Sequence, residues 1–220
     1  MGRHDVRRSD KGPAADQVMP RRWIVLAGAL VLAVAGLVGV AAFLTDGSAD
    51  GSRGSGVAAI GGPFRLTDQN GNRVTNETFA GRYMLVYFGY TYCPDICPLS
   101  LQNMVAALDE LDPAEVDAVV PIFITVDPER DTVDQLASYV PLFGERLVGL
   151  TGTDAEIKAA ARAYRVYFAK AEVEGSADYL MDHSSFIYLM GPDGTYRTHF
   201  GHDATPDEIA ARLRTELGTS

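Results

Sequence analysis

The chain has 220 residues, 47% hydrophobic and 22% charged, values that suit a globular domain of ordinary size with further segments attached. Its formal net charge of −10 argues against nucleic-acid binding. Charge is unevenly placed: up to Thr45, Arg3, Arg7, Arg8, Lys11, Arg21 and Arg22 stand against Asp5, Asp10 and Asp16, so the remainder is more acidic than the whole.

Trp23 to Leu44 contains no charged or strongly polar residue. At about 1.5 Å per residue, such a run is long enough for a bilayer core of about 30 Å. It reads as a transmembrane helix rather than a cleaved signal peptide, whose apolar region is usually about 7–15 residues with a small-residue end. Thr45-Asp46-Gly47 is a poor cleavage site. The basic flank keeps residues 1–22 in the cytoplasm, Trp23 suits the interface, and everything after Leu44 is expected outside. Residues 45–61, rich in Gly and Ser, read as a flexible linker that leashes a domain of residues 62–220 near the membrane.

Within that domain, Phe64 to Thr67 and Val74-Thr75 flank Asn70-Gly71, the signature of a two-residue hairpin turn. Met84 to Phe88 is a continuous apolar run, expected of a strand covered on both faces. Leu101, Met104, Val105, Leu108 and Leu111 recur at helical spacing, and Val119 to Val126 is a second buried strand with Pro121 near its start. Thr132 with Gln135 and Thr153 with Glu156 have the spacing of capping boxes, on either side of a strand at Leu147 to Leu150. Phe186 to Met190 and Tyr196 to Phe200 flank the turn Gly191-Pro192-Asp193-Gly194, and a last helix opens at Thr205-Pro206 with Glu208. This order predicts an α/β, thioredoxin-like fold: a central mixed sheet flanked by helices, preceded by the transmembrane helix.

Cys93 and Cys97 are the only two cysteines, and they fall where the first buried strand turns into a helix. There the helix dipole and free N–H groups favour thiolate. Two thiols separated by Pro94, Asp95 and Ile96 can share a soft metal ion or close a small disulfide. A structural disulfide over so short a loop gains little chain-entropy stabilisation. Two protein ligands suffice only for linear Cu(I), so a third is expected from elsewhere; of four histidines His183 is the best placed, opening the strand of the final hairpin, since the loop before that strand faces the dithiol in this fold. Ligand type leaves copper and zinc open, while a two- or three-ligand set suits Cu(I) better than a closed zinc site. Tyr87, Tyr90 and Tyr92 alternate with Phe88 and read as packing residues; His199 and His202 read as solvated hairpin residues.

Three motifs carry a resemblance: Tyr87-Phe88-Gly89-Tyr90-Thr91-Tyr92-Cys93-Pro94-Asp95-Ile96-Cys97-Pro98, Val126-Asp127-Pro128-Glu129-Arg130-Asp131-Thr132, and Asp182-His183-Ser184-Ser185-Phe186. Together they resemble the Sco/SenC copper-chaperone family, from about Gly62 to the C-terminus. The resemblance implies a thioredoxin-like copper protein that helps metallate the binuclear copper site of cytochrome c oxidase subunit II. Cys93, Cys97 and His183 would be its metal ligands, holding Cu(I) or Cu(II) once the cysteines are reduced. A periplasmic copper donor and a thioredoxin-like reductant would be its other partners. Asp182, beside the histidine, and Asp127, at the carboxyl edge of the neighbouring strand, are candidates to orient it.

The resemblance makes the chain a metal carrier rather than an enzyme, with thiol–disulfide exchange on the oxidase cysteines as the alternative and thiol peroxidase chemistry as a third class. The expected location is a bacterial inner membrane with the domain in the periplasm. A mitochondrial inner membrane facing the intermembrane space is the alternative, but three Asp residues make the N-terminal segment a poor transit peptide.

Overall fold

The computed structural model describes residues 59–219, apart from 174, 176 and 177. The expected transmembrane helix at 23–44 and most of the 45–61 linker lie outside the described residues. Among the described residues, no helix is long and apolar enough to cross a membrane. Packing begins slightly ahead of residue 62, for Ile60 lies against the core and Gly61 N–H donates to the Ala163 carbonyl at 2.9 Å.

Among the described residues, nine strands and five α-helices follow in order: β1 (Arg65–Asp68), β2 (Arg73–Thr75), β3 (Tyr83–Gly89), α1 (Ile96–Asp109), α2 (Pro113–Asp117), β4 (Val119–Thr125), α3 (Val133–Tyr139), β5 (Val148–Thr151), α4 (Asp154–Ala163), β6 (Phe168–Glu172), β7 (Tyr179–His183), β8 (Ile187–Met190), β9 (Tyr196–Phe200) and α5 (Pro206–Leu217). Seven strands form one sheet in the order β2-β1-β5-β4-β3-β8-β9, while β6 and β7 form a separate ribbon. The β3–β4 and β4–β5 pairs are parallel and the others antiparallel, which is the mixed sheet of a thioredoxin-like fold.

The centre of the sheet is dry. Every residue of β4 and all of β3 after Tyr83 are buried, the state expected of parallel strands covered on both faces. Pro121 is tolerated in β4 because pairing with β5 begins only at Ile122, so its missing N–H falls before that ladder. Helices α4 and α5 open with full capping boxes at Thr153/Glu156 and Thr205/Glu208, as their spacing predicts.

Three local expectations are corrected. The Asn70-Gly71 turn closes over three residues: Gly71 N–H donates to the Asp68 carbonyl (3.0 Å), Asp68 N–H donates to Asn72 (2.9 Å), and only Gly71 has positive φ (+84°). The Asp68 carboxylate selects this turn by accepting from the N–H groups of Asn70 and Asn72. At α3 only half of the capping box forms: Thr132 caps the Gln135 N–H, but the Gln135 side chain donates to Thr91 Oγ1 at 3.1 Å. The third concerns the segment before β8, which folds as the β6–β7 ribbon, so His183 ends β7 instead of opening the strand of the last hairpin.

The main chain of β3 ends tightly against the cysteines. A Cβ on Gly89 would lie 2.8 Å from Cys97 Sγ, 2.9 Å from Tyr87 Cε1 and 3.1 Å from Phe123 Cε2. Gly89→Ala is expected to destabilise the fold by about 1–3 kcal/mol, the usual cost of overpacking a core. Denaturant unfolding measures this, and an unchanged midpoint would show that the site has room to spare.

Candidate metal centre

Cys93 lies in the loop after β3, and Cys97 is the second residue of α1. The N-cap residue Asp95 makes no side-chain cap; instead Cys97 N–H points at Cys93 Sγ, 3.4 Å away. Cys93 thus accepts one of the N–H groups that a helix start leaves unpaired. Pro98 falls in the first helical turn, where its missing N–H costs nothing.

His183 reaches the same point from the end of β7. Its Nε2 lies 3.4 Å from Cys97 Sγ, and the donor atoms of Cys93, Cys97 and His183 all lie within 4.8 Å of one another. Its Nδ1 is 3.2 Å from the Ser184 carbonyl oxygen, which can only accept. Nδ1 therefore carries the proton, and Nε2 turns its lone pair toward the sulfurs, the tautomer that metal ligation requires. The ring is framed edge-on by Tyr87 and Tyr90, at centroid distances of 6.2 and 5.8 Å.

The two thiols are unequal. Cys97 is fully buried and Cys93 partly exposed, and neither is in a disulfide. Hydrogen bonding from the Cys97 thiol, outweighing the cost of burial and reinforced by the backbone N–H groups of Asp95 and Cys97, holds the Cys93 thiol at a pKa of about 4. Cys97 moves the other way, well above the ordinary thiol range, because its proton is shared with Cys93 and the site is desolvated. Burial likewise pushes the Tyr87 phenol above its ordinary range. Among the described residues, the buried Tyr87 hydroxyl and Ser100 Oγ have no hydrogen-bond partner.

Two soft sulfurs and an imidazole form a donor set suited to Cu(I) or zinc. Three ligands fall short of a closed structural zinc site and fit Cu(I). The convergence of all three side chains was expected from the sequence; the places of the two acids were not. Asp127 is buried and gives its carboxylate to Arg130 Nε (2.5 Å) and the Tyr179 hydroxyl (2.9 Å). Asp182 is exposed, on the face of β7 opposite Met181, and the Ser184 carbonyl takes the orienting place beside His183. Tyr92 is not a packing residue: it is 55% exposed, with the Arg130 guanidinium 4.8 Å from its ring centroid. His199 is exposed, with Nδ1 against the Tyr196 hydroxyl, away from the cysteine cluster.

Residues 52–218 match the SCO1/SenC family model. This chain belongs to the SCO1/SenC family. The human Protein SCO1 homolog, mitochondrial, is 44% identical over 163 residues, 74% of this chain and 54% of the human protein. The chain spans about half the length of the curated relatives it matches. A crystal structure of Arabidopsis thaliana ScoI with copper bound has a TM-score of 0.68 and 44% identity, covering 74% of this chain and all of that one. BsSco, a member of the Sco family of cytochrome c oxidase assembly proteins with an identified disulfide switch, is 27% identical with a TM-score of 0.57, covering 76% of this chain and 98% of that one.

The inequality of the thiols can be read chemically, because the thiolate is the reactive form. Cys93 should alkylate with iodoacetamide well ahead of Cys97. Its rate should hold as pH falls from neutrality and drop only as the thiolate is protonated near pH 4. Mass-spectrometric mapping of the labelled cysteine against pH checks this, and a midpoint near about 8.5, the value of a free cysteine, would contradict it.

Proposed function

We propose that this chain is a copper chaperone anchored by residues 23–44, binding one copper ion through Cys93, Cys97 and His183. It assists metallation of the binuclear copper site of cytochrome c oxidase subunit II. The observation that carries the reading is the convergence of Cys93 Sγ, Cys97 Sγ and His183 Nε2 within 4.8 Å, with the imidazole already in its ligating tautomer. Copper bound to the Arabidopsis relative and the oxidase-assembly role of BsSco's family support it.

The copper ion is cargo, so the site must both take it and release it. Partly exposed Cys93, already a thiolate at neutral pH, is the natural first ligand for copper arriving from a periplasmic donor. Capture by Cys97 displaces its proton, and half-buried His183 closes the set. Transfer reverses the order as thiolates of the oxidase subunit replace these ligands one at a time. The leash of residues 45–61 would keep the domain beside the membrane from which subunit II presents its site, in a bacterial periplasm.

One observation favours a second reading. A partly exposed, low-pKa Cys93 beside a buried, protonated Cys97 is the arrangement of an attacking and a resolving thiol. Cys93 would attack an oxidase disulfide, forming a mixed disulfide and expelling one thiolate. Cys97, giving its proton to the first expelled thiolate, would then attack Cys93 Sγ as a thiolate, releasing the second thiolate and leaving Cys93–Cys97 oxidised. A thioredoxin-like reductant would return both thiols.

Anaerobic Cu(I) titration of the reduced full chain against a competing chelator separates the two. His183→Ala is expected to weaken Cu(I) binding by more than about tenfold, since even loss of a ligand's supporting hydrogen bond often costs that much. The same substitution should leave dithiol exchange largely intact. Weak copper binding indifferent to His183 would leave the exchange reading in possession.

A further inference from the structure

The segments carrying the candidate ligands meet at one loop. Residues 127–132, between β4 and α3, touch the cysteine segment with one end and the histidine ribbon with the other. Asp131 has no exposed surface; its carboxylate accepts from Thr91 N–H (2.9 Å) and Thr91 Oγ1 (2.6 Å), two residues before Cys93. Arg130 points the other way, toward the ribbon.

The ribbon needs such a tie. Among the described strands, β6 and β7 pair only with each other, so no backbone ladder joins them to the seven-stranded sheet. A cavity of about 650 Å³, lined by Asp127, Pro128, Thr153, Phe168, Lys170 and Met181, opens beside the ribbon, which side chains alone seat: Met181, Phe168 and Tyr179 against the core, and polar groups against the loop. The polar ties run mainly to the loop. Arg130 Nη1 donates to the Tyr179 carbonyl at 3.0 Å, and its guanidinium lies 3.8 Å from the Tyr179 ring centroid. Arg130 Nε donates to Asp127, which also accepts from the Tyr179 hydroxyl, and Lys170 pairs with Glu129.

The same guanidinium stands 4.8 Å from the Tyr92 ring and 5.8 Å from the Tyr90 ring, on the cysteine loop. Tyr90 in turn meets the His183 ring edge-on at 5.8 Å. One planar cation thus bridges the start of β7 and the two tyrosines just before Cys93. Only arginine fits this place, because its fork satisfies a carboxylate and a carbonyl while its face stacks on rings, and lysine offers a point charge.

We propose that Arg130 is a positioning residue: it holds the β6–β7 ribbon so that His183 Nε2 stands against the two sulfurs. This role rests on the copper-site reading above. A residue that merely stabilised the fold would affect copper binding whether or not His183 were present. A residue acting through His183 would lose its effect once the imidazole is gone, which is what a double-mutant cycle measures.

The test uses the reduced full chain in detergent, with Arg130→Ala and Arg130→Lys each made alone and with His183→Ala. Cu(I) affinity is read by chelator competition, and amide hydrogen exchange is read on the metal-free proteins. Arg130→Ala should weaken Cu(I) binding about tenfold when His183 is present, the scale of losing a ligand's support. With His183 absent the loss should shrink to less than about twofold, the scatter expected of uncoupled sites. Exchange should quicken across 168–172 and 179–183 and stay unchanged across 84–89. Arg130→Lys should reproduce part of the loss, and it carries the same comparison if Arg130→Ala fails to fold. Equal losses in both backgrounds, or no loss in either, would overturn the proposal. If His183→Ala alone left Cu(I) affinity unchanged, the copper-site reading would fail instead. Ribbon exchange would then still decide whether Arg130 holds the ribbon, with faster exchange supporting it and unchanged exchange overturning it.

Discussion

Asp131 is fully buried, and its carboxylate takes hydrogen bonds from Thr91 N–H, Thr91 Oγ1 and Thr125 Oγ1, while its carbonyl accepts from Thr151 Oγ1. Desolvation pushes this carboxyl above its ordinary range and the bonds from Thr125 and Thr91 pull it back, so the charge is tolerated only because nearly every lone pair has a donor. Three strand ends, of β3, β4 and β5, are pinned at one point by this residue. The loop holding Cys93 starts from that point, and so does the turn holding Asp127 and Arg130. The geometry of the metal centre therefore rests on a polar knot at the carboxyl edge of the sheet, the edge where open α/β sheets collect their sites.

The centre itself is asymmetric in a way that suits passing an ion on. Cys97 and the rings of Tyr87 and Tyr90 make a dry wall, and Gly89 is there because no side chain fits between β3 and that sulfur. Cys93 and His183 form the more open side. A thiolate at the opening with a protonated thiol behind it gives copper a graded path in and out. It also gives a dithiol its attacking and resolving members. The two proposed activities draw on the same feature, and the imidazole is the element that distinguishes them.

Much of this was legible in the sequence where local physics governs. The apolar runs of β3 and β4 mark strands covered on both faces, and the boxes at Thr153 and Thr205 mark helix starts, because these signals need only neighbours within four residues. The cysteine pair declared a site by its spacing and its place after β3. The β6–β7 ribbon was not legible. Its strands are short with mostly exposed or half-exposed side chains, the outward-facing Leu180 hides the alternation of β7, and its polar ties run to Arg130 and Asp127, which lie about 50 residues away along the chain. The same distance hid the true partners of Asp127, whose position at a strand end suggested the histidine. Gln135 shows the converse case. Its spacing from Thr132 is right for a capping box, yet Thr91 in the cysteine segment claims its amide. Tyr92 reads as one more alternating aromatic, but the strand has ended at Gly89 and the ring faces solvent under a guanidinium.

The most direct measurement is copper X-ray absorption on the reduced full chain loaded with one equivalent of Cu(I). A three-coordinate site with two sulfur ligands and one imidazole nitrogen is expected, becoming a two-sulfur site in His183→Ala. A two-sulfur site already present in the unsubstituted chain, or one built from nitrogen and oxygen ligands, would contradict the Cys93–Cys97–His183 centre.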